Sequence, residues 1–555
     1  MQNDPDKHFI LEGLKHGFPI VDTQDITAIP TVRSDNHTSA LKNCEKVEKR
    51  LLEEIEDGKY ISVQENCVKI ISPLAAIEKS DGDVRLIHDL SHPQGHSLND
   101  YATKDPCKYE SLDEAIQLLQ PGMWMAKCDL KWAYRSMAIK PEHYTLTGLQ
   151  WTFSNNSRPT TLVDKRPPFG ARKSPATFNS ITKSVKRMMV RRGYNCIVFL
   201  DDFFLCEISK EKCASALATL ISLLRKLGFR INWKKVEDPC QDLVFLGVRI
   251  DLKQGILQLD PKKTKQLVET LQTTVTKQRL SKRQLQKLAG QLNWASTVIQ
   301  WGRAFLSSFF QAIRTLKHAN HKIKLHTALR SDLQWWVSSL QHTTHWRPIW
   351  PVQRPAFSIA TDASLTGGGA FSHSDGAWVH VNWAIDRPSL VSASINVKEL
   401  AMIEQAVHVW GPLHRGHHFA VETDNIAAAF MVNNKSARSG LAASLVRSIA
   451  STALRYGLSV TAMHVPGVTN DIPDSISRLH SPGQFLRLSA LLSTHYGPTG
   501  HPTYCLIDHM SPLTLLYLLP QVHKALNSLG SWIKRLHSCV DIPLRTLHNS
   551  HTSLI

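Results

Sequence analysis

The 555-residue chain lacks the features that mark exported and membrane-spanning proteins. Its first residues, MQNDPDKHFI, do not have the layout of a signal peptide, and no run of about 18 uninterrupted apolar residues occurs. The ten cysteines include no Cys-x-x-Cys pair, which favours reduced thiols over a disulfide framework. Internal repeats and low-complexity tracts are also missing. These absences predict an intracellular protein without a membrane partner.

Acidic residues are few relative to basic ones. The chain has 65 Lys and Arg against 47 Asp and Glu, which gives a formal net charge of +18. Hydrophobic residues make up 42% of the chain, so a sizeable core can form. The length allows about three or four domains. Because the excess charge is positive, we expect a polyanionic partner, and nucleic acid fits better than a membrane surface.

The pattern of short β-rich runs and helical stretches predicts six segments along the chain. They are an N-terminal extension (1–59), an α+β block (60–252), a basic helical segment (253–345), a Pro-containing linker (346–356), a second α/β block (357–480) and a tail without a clear period (481–555). Within the first block, SPATFNSITKSVKRMMVRRG predicts a helix. Ser174 would be its N-cap, Pro175 suits its first turn, and Gly193 follows its end.

Two adjacent carboxylates, Asp201 and Asp202, interrupt the apolar run VFLDDFFLCE. Burying an unpaired carboxylate costs several kcal/mol, so these acids either face water at a hairpin turn or hold a metal. Asp129 ends another apolar run, MWMAKCD. A strand that ends in an acid and a hairpin that carries two can converge on one point. Three carboxylates can hold two Mg²⁺ ions, which stabilise the attacking and leaving oxygens of a phosphoryl transfer.

The motifs around these acids occur in the order found in reverse transcriptases, which residues 60 to 345 resemble. FLDD resembles the Tyr-x-Asp-Asp box, and DLKWAY resembles the first palm motif of that family. PPFGARKSPATFN resembles the Leu-Pro-Phe-Gly motif, and LGFRINWKK with FLGVRID resembles the lysine motif and the primer grip. VRLIHDLSHPQGHSLND is similar to the fingers motif of tyrosine-recombinase retrotransposons of the DIRS and Ngaro type. The resemblance implies an α+β right-hand polymerase with fingers, palm and a helical thumb.

The same resemblance implies a role for each matching residue. Asp129 and Asp201 would be the main metal ligands, with Asp202 as the second acid of the pair. Tyr134 would lie under the sugar of the incoming nucleotide, where its ring would exclude a 2′-OH and select deoxynucleotides. The other implied nucleotide contacts are Lys79 and Arg85 on the triphosphate, Phe169 and Gly170 in the pocket, and Lys234 or Lys235 as proton donor to pyrophosphate. For Lys79 and Arg85, a solvated charge on a strand edge is the alternative.

Four further acids follow strand and helix signals in the second α/β block. IATDASLTGGGAF places Asp362 at a strand end before a tight Gly turn, and INVKELAMIEQAV places Glu399 in the first turn of an amphipathic helix. HHFAVETDN places Asp424 at another strand end, and HVPGVTNDIPDSISR places Asp474 near a helix start. Alone, Glu399 could be a helix-start charge and Asp474 a helix cap. Their order resembles ribonuclease H, which implies a metal-binding set of four carboxylates.

The histidines of the chain do not form a clear catalytic or zinc-binding pattern. His464 lies ten residues before Asp474, but it precedes Val465-Pro466, which favours a structural role at a strand end. The groups within 414–418 and 495–509 fit no common zinc module.

The two resemblances together imply a reverse transcriptase with ribonuclease H activity from a DIRS-like retrotransposon. Its cofactor would be Mg²⁺, two ions per site, with Mn²⁺ as a substitute. Its partners would be an RNA template, a DNA primer, the RNA–DNA hybrid and deoxynucleoside triphosphates, in a cytoplasmic particle or the nucleus. The main alternative is a domesticated, inactive nucleic-acid-binding protein on the same fold, which the presence of all seven carboxylates disfavours. Tyr134 and the ribonuclease H block disfavour an RNA-dependent RNA polymerase.

Overall fold

The computed structural model describes residues 3–496 except 24, 79–81, 104–106, 343–345, 351–353, 355, 375, 439 and 482. Lys79 and the tail beyond 496 therefore lie outside the described residues. The chain divides into two compact units, Met1–Gln258 and Leu259–Ile555. Within the described ranges, no helix is both long enough and apolar enough to cross a membrane.

The first unit mixes helices and strands. Its helices are α1 (Lys7–His16), α2 (Thr38–Lys42), α3 (Cys44–Glu56), α4 (Leu112–Leu118), α5 (Ser174–Val190) and α6 (Lys210–Lys226). Its strands are β1 (Val32–Arg33), β2 (Tyr60–Ser62), β3 (Ile70–Ile71), β4 (Leu74–Glu78), β5 (Val84–His88), β6 (Trp124–Asp129), β7 (Gly148–Trp151), β8 (Thr160–Asp164), β9 (Cys196–Phe199), β10 (Asp202–Glu207), β11 (Glu237–Cys240), β12 (Asp242–Phe245) and β13 (Val248–Asp251). Strand β14 (Ile256–Leu259) runs across the division.

A four-stranded sheet, in the order β11-β6-β10-β9, carries the first three acids. β10 is antiparallel to both of its neighbours, and Asp202 lies opposite Asp129 on one side and Phe199 on the other. Helices α5 and α6 cover the sheet with buried side chains such as Phe178 and Leu220. The predicted hairpin with the paired acids at its turn is confirmed.

Residues 1–59, which we expected to form an extension, are packed into the first unit. Ile10 and Phe18 belong to the core under the acid-bearing sheet, and β1 pairs with β3. Arg187 on α5 reaches the carboxylates of Asp4 and Asp6, with nitrogen–oxygen distances of 2.6 and 2.7 Å. The segment looks polar in the sequence because its short helices bury only a few of their residues.

Helix α5 differs in one detail from its sequence prediction. It covers Ser174–Val190, so Ser174 is its first residue and not its N-cap. Lys173 already has helical backbone angles, φ −84° and ψ −22°. An N-cap side chain needs an extended backbone to reach the free N–H groups, and this start does not provide one. Pro175 lies in the first turn, and Gly193 follows the helix with φ +80°, both as predicted.

The second unit contains a helical part and a mixed sheet. Its helices are α7 (Pro261–Val275), α8 (Lys282–Ala295), α9 (Ser307–Thr315), α10 (Thr327–His342), α11 (Trp383–Asp386), α12 (Ile395–Trp410), α13 (Ile426–Asn433), α14 (Gly440–Tyr456), α15 (Asp471–Ser477) and α16 (Gln484–Tyr496). Its strands are β15 (Arg279–Ser281), β16 (Lys322–Lys324), β17 (Trp346–Pro348), β18 (Ala356–Ala363), β19 (Gly367–Ser372), β20 (Trp378–Asn382), β21 (His418–Thr423) and β22 (Ser459–His464).

The mixed sheet has five strands in the order β20-β19-β18-β21-β22. β18, β21 and β22 are parallel, whereas β18, β19 and β20 form an antiparallel meander. This α/β layer agrees with the fold class expected for 357–480. The helical segment and the α/β block fall within one compact unit, and strand β17 lies in the expected linker.

The glycine run in this sheet does not form a tight turn, contrary to our expectation. Gly367, Gly368 and Gly369 lie inside β19, and the turn precedes them. A Cβ atom on Gly369 would lie 2.5 Å from the Pro473 carbonyl oxygen. One on Gly368 would lie 2.7 Å from the sulfur of Met402. Helices α15 and α12 approach β19 so closely that positions 368 and 369 have no room for a side chain.

Candidate active sites

The first acid cluster, Asp129, Asp201 and Asp202, lies at one end of the first unit's four-stranded sheet. Asp129 ends β6 and is 2% exposed, and Asp202 begins β10 directly opposite it. Asp201 lies in the turn, after Leu200 in the left-handed conformation with φ +56°. The Leu130 N–H group donates to the Asp201 carbonyl at 3.1 Å, which holds the turn against the end of β6.

Burial and mutual repulsion make this cluster costly to ionise. Burial, followed by a hydrogen bond to Asp129 and by the charges of Asp129 and Asp201, raises the pKa of Asp202 to about 7. Burial also raises the pKa of Asp201. Carboxylates that lie within hydrogen-bond reach of one another, as Asp129 and Asp202 do, do not all ionise at neutral pH unless a cation binds between them.

Two side chains hold Asp129 in place. Asn232 Nδ2 donates to Asp129 Oδ1, and Lys235 Nζ donates to Oδ2, both at 2.8 Å. An isolated bridge between Leu130 and Ile231 brings this segment to the acid. Asn232 was not among the predicted site residues, although it lies within the LGFRINWKK motif.

Two of the predicted nucleotide contacts, Tyr134 and Arg85, lie near Asp201. The Tyr134 ring lies 5.8 Å from that of Phe169 and 5.5 Å from that of Phe178, measured between centroids. Burial, with smaller contributions from nearby groups such as Asp201, raises the pKa of Tyr134 to about 12. Arg85 is exposed on β5, and its charge favours ionised Asp201.

Phe169 and Gly170 precede helix α5. Phe169 is 36% exposed, which leaves its ring available to a ligand. Gly170 has φ +123°, and a Cβ atom there would lie 2.4 Å from the His88 carbonyl oxygen. This position therefore needs glycine. Lys234 has no hydrogen bond to the acids in the part of the chain that the structure describes, whereas Lys235 does.

The second acid cluster, Asp362, Glu399, Asp424 and Asp474, lies in the second unit. Asp362 is the next-to-last residue of β18, and Asp424 directly follows β21. Because these strands are parallel neighbours, their carboxyl ends meet at one edge of the sheet. One oxygen each from Asp362, Glu399 and Asp424 lies within 4.8 Å of the others.

Glu399 lies deeper than the sequence suggested. It is the fifth residue of α12, past the first turn, and it is 3% exposed. The helix is buried on most sides, so it is not amphipathic as expected. Glu399 Oε1 accepts the Ala363 N–H at 3.1 Å, and Oε2 accepts the Thr423 hydroxyl at 3.4 Å. Glu399 is therefore tied to both acid-bearing strands and is not a helix-start charge.

Asp474 lies near Asp362 and pairs with arginines. Its carboxylate accepts from Arg478 Nε at 2.7 Å and from Arg487 Nη1 at 3.2 Å. Asn470 Nδ2 donates to the Thr361 carbonyl at 3.0 Å, which fastens the start of α15 to β18. The charge of Asp474 helps to raise the pKa of Asp362, so these two carboxylates repel each other.

The second cluster suits a hard divalent cation. Burial, then the charges of Asp362 and Asp424, raises the pKa of Glu399 to about 9. Burial, with Asp474 and Asp424, raises the pKa of Asp362 to about 6. Asp362 Oδ2 is buried without a hydrogen-bond partner. Oxygen atoms with surplus negative charge are the ligands that Mg²⁺ prefers, so these residues fit such an ion.

Among the described residues, no other three His, Cys, Asp or Glu side chains place ligand atoms this close together. The first acid cluster does not meet this distance, and its Asp129 is held by Asn232 and Lys235. His464 ends β22, as predicted, and is exposed. His414 stacks on Phe357 with 3.6 Å between ring centroids, which is a packing contact.

Residues 76–250 match the model of the family described as reverse transcriptase (RNA-dependent DNA polymerase). The first acid cluster and all the predicted nucleotide contacts lie within this stretch, whereas the second acid cluster lies outside it. The match identifies a reverse transcriptase domain in the first unit and confirms the polymerase fold expected there.

Curated relatives include a viral Gag-Pol polyprotein and the Protein P of several hepatitis viruses. The Gag-Pol polyprotein of avian reticuloendotheliosis virus is 25% identical over 217 residues, covering 37% of this chain and 18% of the polyprotein. Protein P of ground squirrel hepatitis virus is 26% identical over 218 residues, covering 38% of this chain and 23% of that protein. Protein P of duck hepatitis B virus is 27% identical over 269 residues, covering 48% and 32%. The chain thus spans less than a third of the length of each.

Solved structures of a foamy viral protease-reverse transcriptase are also similar to this chain. The form called dRH, in complex with double-stranded DNA, has a TM-score of 0.49 and 16% identity, covering 80% of this chain and 74% of that one. The complex with an RNA/DNA hybrid has a TM-score of 0.48 and 16% identity, covering 80% and 56%.

Proposed function

We propose that this chain is an RNA-directed DNA polymerase that also cleaves the RNA strand of RNA–DNA hybrids. The observation that carries the polymerase assignment is the convergence of Asp129, Asp201 and Asp202 within the segment that matches reverse transcriptases. Tyr134 and Arg85 interact electrostatically with Asp201, which supports a nucleotide site beside the acids.

In the polymerase site, the three acids would hold Mg²⁺, which supplies positive charge to the attacking and leaving oxygens. We assign the lysine role to Lys235 in preference to Lys234, because its ammonium reaches Asp129. That hydrogen bond raises the pKa of Lys235, so it carries its proton at neutral pH. Tyr134, packed against Phe178, offers a fixed ring that would exclude a ribose 2′-OH.

In the second site, Asp362, Glu399 and Asp424 would hold Mg²⁺, which activates water and stabilises the leaving oxygen. Asp474 adds negative charge beside them, and its two arginine partners fix its position. Two separate acid clusters fit two reactions on one substrate. Copying RNA leaves a hybrid, and the RNA strand must then be removed.

The fingers motif VRLIHDLSHPQGHSLND supports a DIRS- or Ngaro-like retrotransposon as the source of this enzyme. Its partners would be an RNA template, a DNA primer and deoxynucleoside triphosphates. It would act where such elements are copied, in a cytoplasmic particle or in the nucleus.

The test is primer extension on an RNA template by the full chain with Mg²⁺. The variant Asp201→Asn should lose extension but still cleave a preformed hybrid. Asp238→Asn, an exposed acid on β11 of the same sheet, is the matched control and should extend normally.

A folded parent protein that binds hybrid but extends no primer would support the inactive binding protein instead. Loss of both activities in folded Asp201→Asn would contradict two separate metal centres.

A further inference from the structure

The fingers motif VRLIHDLSHPQGHSLND continues from β5 into a loop that is partly held by its own polar side chains. The Asp100 carboxylate accepts hydrogen bonds from the Ser97 N–H at 3.0 Å, the Ser97 hydroxyl at 2.7 Å and the Gly95 N–H at 2.9 Å. Asp89 Oδ1 accepts the Ser91 N–H at 3.2 Å. These bonds shape the loop itself and leave the asparagine of the motif to act elsewhere.

Asn99, which is 4% exposed, connects this loop to residues 169–172, just before helix α5. Its Nδ2 donates to the Gly170 carbonyl at 2.9 Å, and its Oδ1 accepts the Arg172 N–H at 2.8 Å. Nδ2 also donates to the Ser91 hydroxyl at 2.8 Å. A backbone carbonyl can only accept and a backbone N–H can only donate, so these partners define which way the planar amide faces.

Contacts on either side of Asn99 hold the same two segments together. A Cβ atom on Gly170 would lie 2.4 Å from the His88 carbonyl oxygen, so the two backbones are in close contact before the loop begins. Arg172 Nη1 donates to the Ala102 carbonyl at 2.8 Å, just after the loop ends. Apolar side chains of both segments also share one buried cluster, which includes Leu90, Leu98 and Ala171. Residues 170–172 are therefore bound along the length of the loop.

The position of Gly170 determines the position of the aromatic ring next to it in the chain. Phe169 is 36% exposed, and its ring centroid lies 5.8 Å from that of Tyr134. Tyr134 in turn interacts electrostatically with Asp201 of the first acid cluster. A shift of the Gly170 carbonyl would therefore move a ring that lies beside the proposed nucleotide pocket.

We propose that Asn99 is a positioning residue that fixes Phe169 and Gly170 for the incoming deoxynucleoside triphosphate. The identity of this ligand rests on the proposed function. Gly170 and Arg172 are exposed, so water can replace the Asn99 amide as their hydrogen-bond partner when it is removed. The loss of the amide should therefore affect the geometry of the pocket more than the stability of the fold. A misplacement of about 1 Å is enough to weaken a bound substrate strongly.

The test is single-nucleotide primer extension by the full chain with Mg²⁺, measuring kcat and the KM for the deoxynucleotide. Asn99→Ala removes the bonds to Gly170 and Arg172. It should raise KM by about five- to thirtyfold, the factor that corresponds to one or two hydrogen bonds, and leave kcat unchanged. Ser91→Ala is the matched control. It removes a partner of the same amide but keeps the bonds to residues 170 and 172, so its KM should be parental.

A second measurement does not depend on activity. Amide hydrogen exchange should be faster at residues 170–172 in Asn99→Ala than in the parent, because the Arg172 N–H loses its acceptor. Parental exchange there would overturn the proposal, since Asn99 would then not hold the segment. Asn99→Asp keeps an acceptor for that N–H but places an oxygen against the Gly170 carbonyl, so it should also raise KM.

The remaining outcomes separate this proposal from the proposed function. A parent protein that extends no primer would overturn the proposed function and leave the effect of Asn99 on exchange as it is. A parental KM in both Asn99 variants, with or without a lower melting temperature, would make Asn99 purely structural and overturn the positioning role. A lower kcat with a parental KM would also overturn it, because the effect would then fall on the acids and not on nucleotide binding.

Discussion

Changing Glu399 to Gln should remove both a pH-dependent loss of stability and most of the Mg²⁺ response of the second unit. The folded protein raises the pKa of Glu399 from 4.5 to about 9. Between these values the folded chain keeps a proton that the unfolded chain has released, so stability falls as pH rises. The slope is about 1.4 kcal/mol per pH unit. Between about pH 6 and pH 8 the parent therefore loses about 2.7 kcal/mol through this group.

Metal binding must expel the same proton. The apparent Mg²⁺ affinity of the parent should therefore rise about tenfold per pH unit in this range. A glutamine side chain at position 399 would neither ionise nor bind strongly, so the variant should show a weaker response that does not depend on pH. Asp362, whose pKa is raised to about 6, adds to the dependence mainly below that pH.

The assay is thermal unfolding of the full chain at about pH 6 and pH 8, with and without Mg²⁺. At about 2–4 °C per kcal/mol, the metal-free difference between parent and variant should change by about 5–10 °C between the two pH values. Glu404→Gln is the matched control. Glu404 lies on the same helix and is bonded to Arg387 at 2.7 Å and Ser448 at 2.6 Å, so its variant should keep the Mg²⁺ response.

Two results would refute this reasoning. One is a parental Mg²⁺ shift in folded Glu399→Gln, because the cluster would then not be the metal site. The other is an equal Mg²⁺ shift of the parent at both pH values, because Glu399 would then not hold a proton in the metal-free protein.

Two further predictions concern the first unit. Tyr134→Ala should raise the ratio of ribonucleotide to deoxynucleotide incorporation in a competition assay, whereas Tyr134→Phe keeps the ring and should keep the parental ratio. An unchanged ratio in Tyr134→Ala would mean that Tyr134 only packs in the core. Arg135→Met should lower the free energy of unfolding by about 3–5 kcal/mol in urea, because it leaves the fully buried Asp164 without its cation. A loss below about 1 kcal/mol would mean that Asp164 takes up a proton at little cost.

Acids at strand ends were the most predictable part of both sites. Asp129 ends an apolar run, and Asp362 and Asp424 come at the ends of short β-rich runs, so the local pattern predicts a strand end at each. The pair at Asp201 and Asp202, between two short apolar runs, favoured a hairpin turn, and Asp129 upstream made a shared site the better interpretation. Their convergence followed from motif order, and strand register then placed Asp202 opposite Asp129.

Contacts made by the tertiary fold were not predictable from local patterns. Asn232 and Lys235 reach Asp129 through an isolated bridge between Leu130 and Ile231, which leaves no periodic signal. The depth of Glu399 depends on α12 lying between the sheet and α14, so a helix with scattered polar residues is nearly fully buried. The glycines of β19 resembled a turn because their real cause, the close approach of α12 and α15, lies far along the chain.

The two acid clusters balance their charge in different ways, and this difference bears on what each needs from a metal. In the first cluster, Lys235 and Asn232 stabilise the Asp129 carboxylate, so one acid is compensated by the protein itself. In the second cluster both arginines contact Asp474, while within the described part of the chain Asp362, Glu399 and Asp424 accept hydrogen bonds only from neutral donors or from none. Burial, then the charges of Asp362 and Asp424, raises the pKa of Glu399 to about 9, whereas Lys235 opposes the rise of the Asp202 pKa to about 7. A bound cation would therefore relieve more repulsion in the second cluster than in the first.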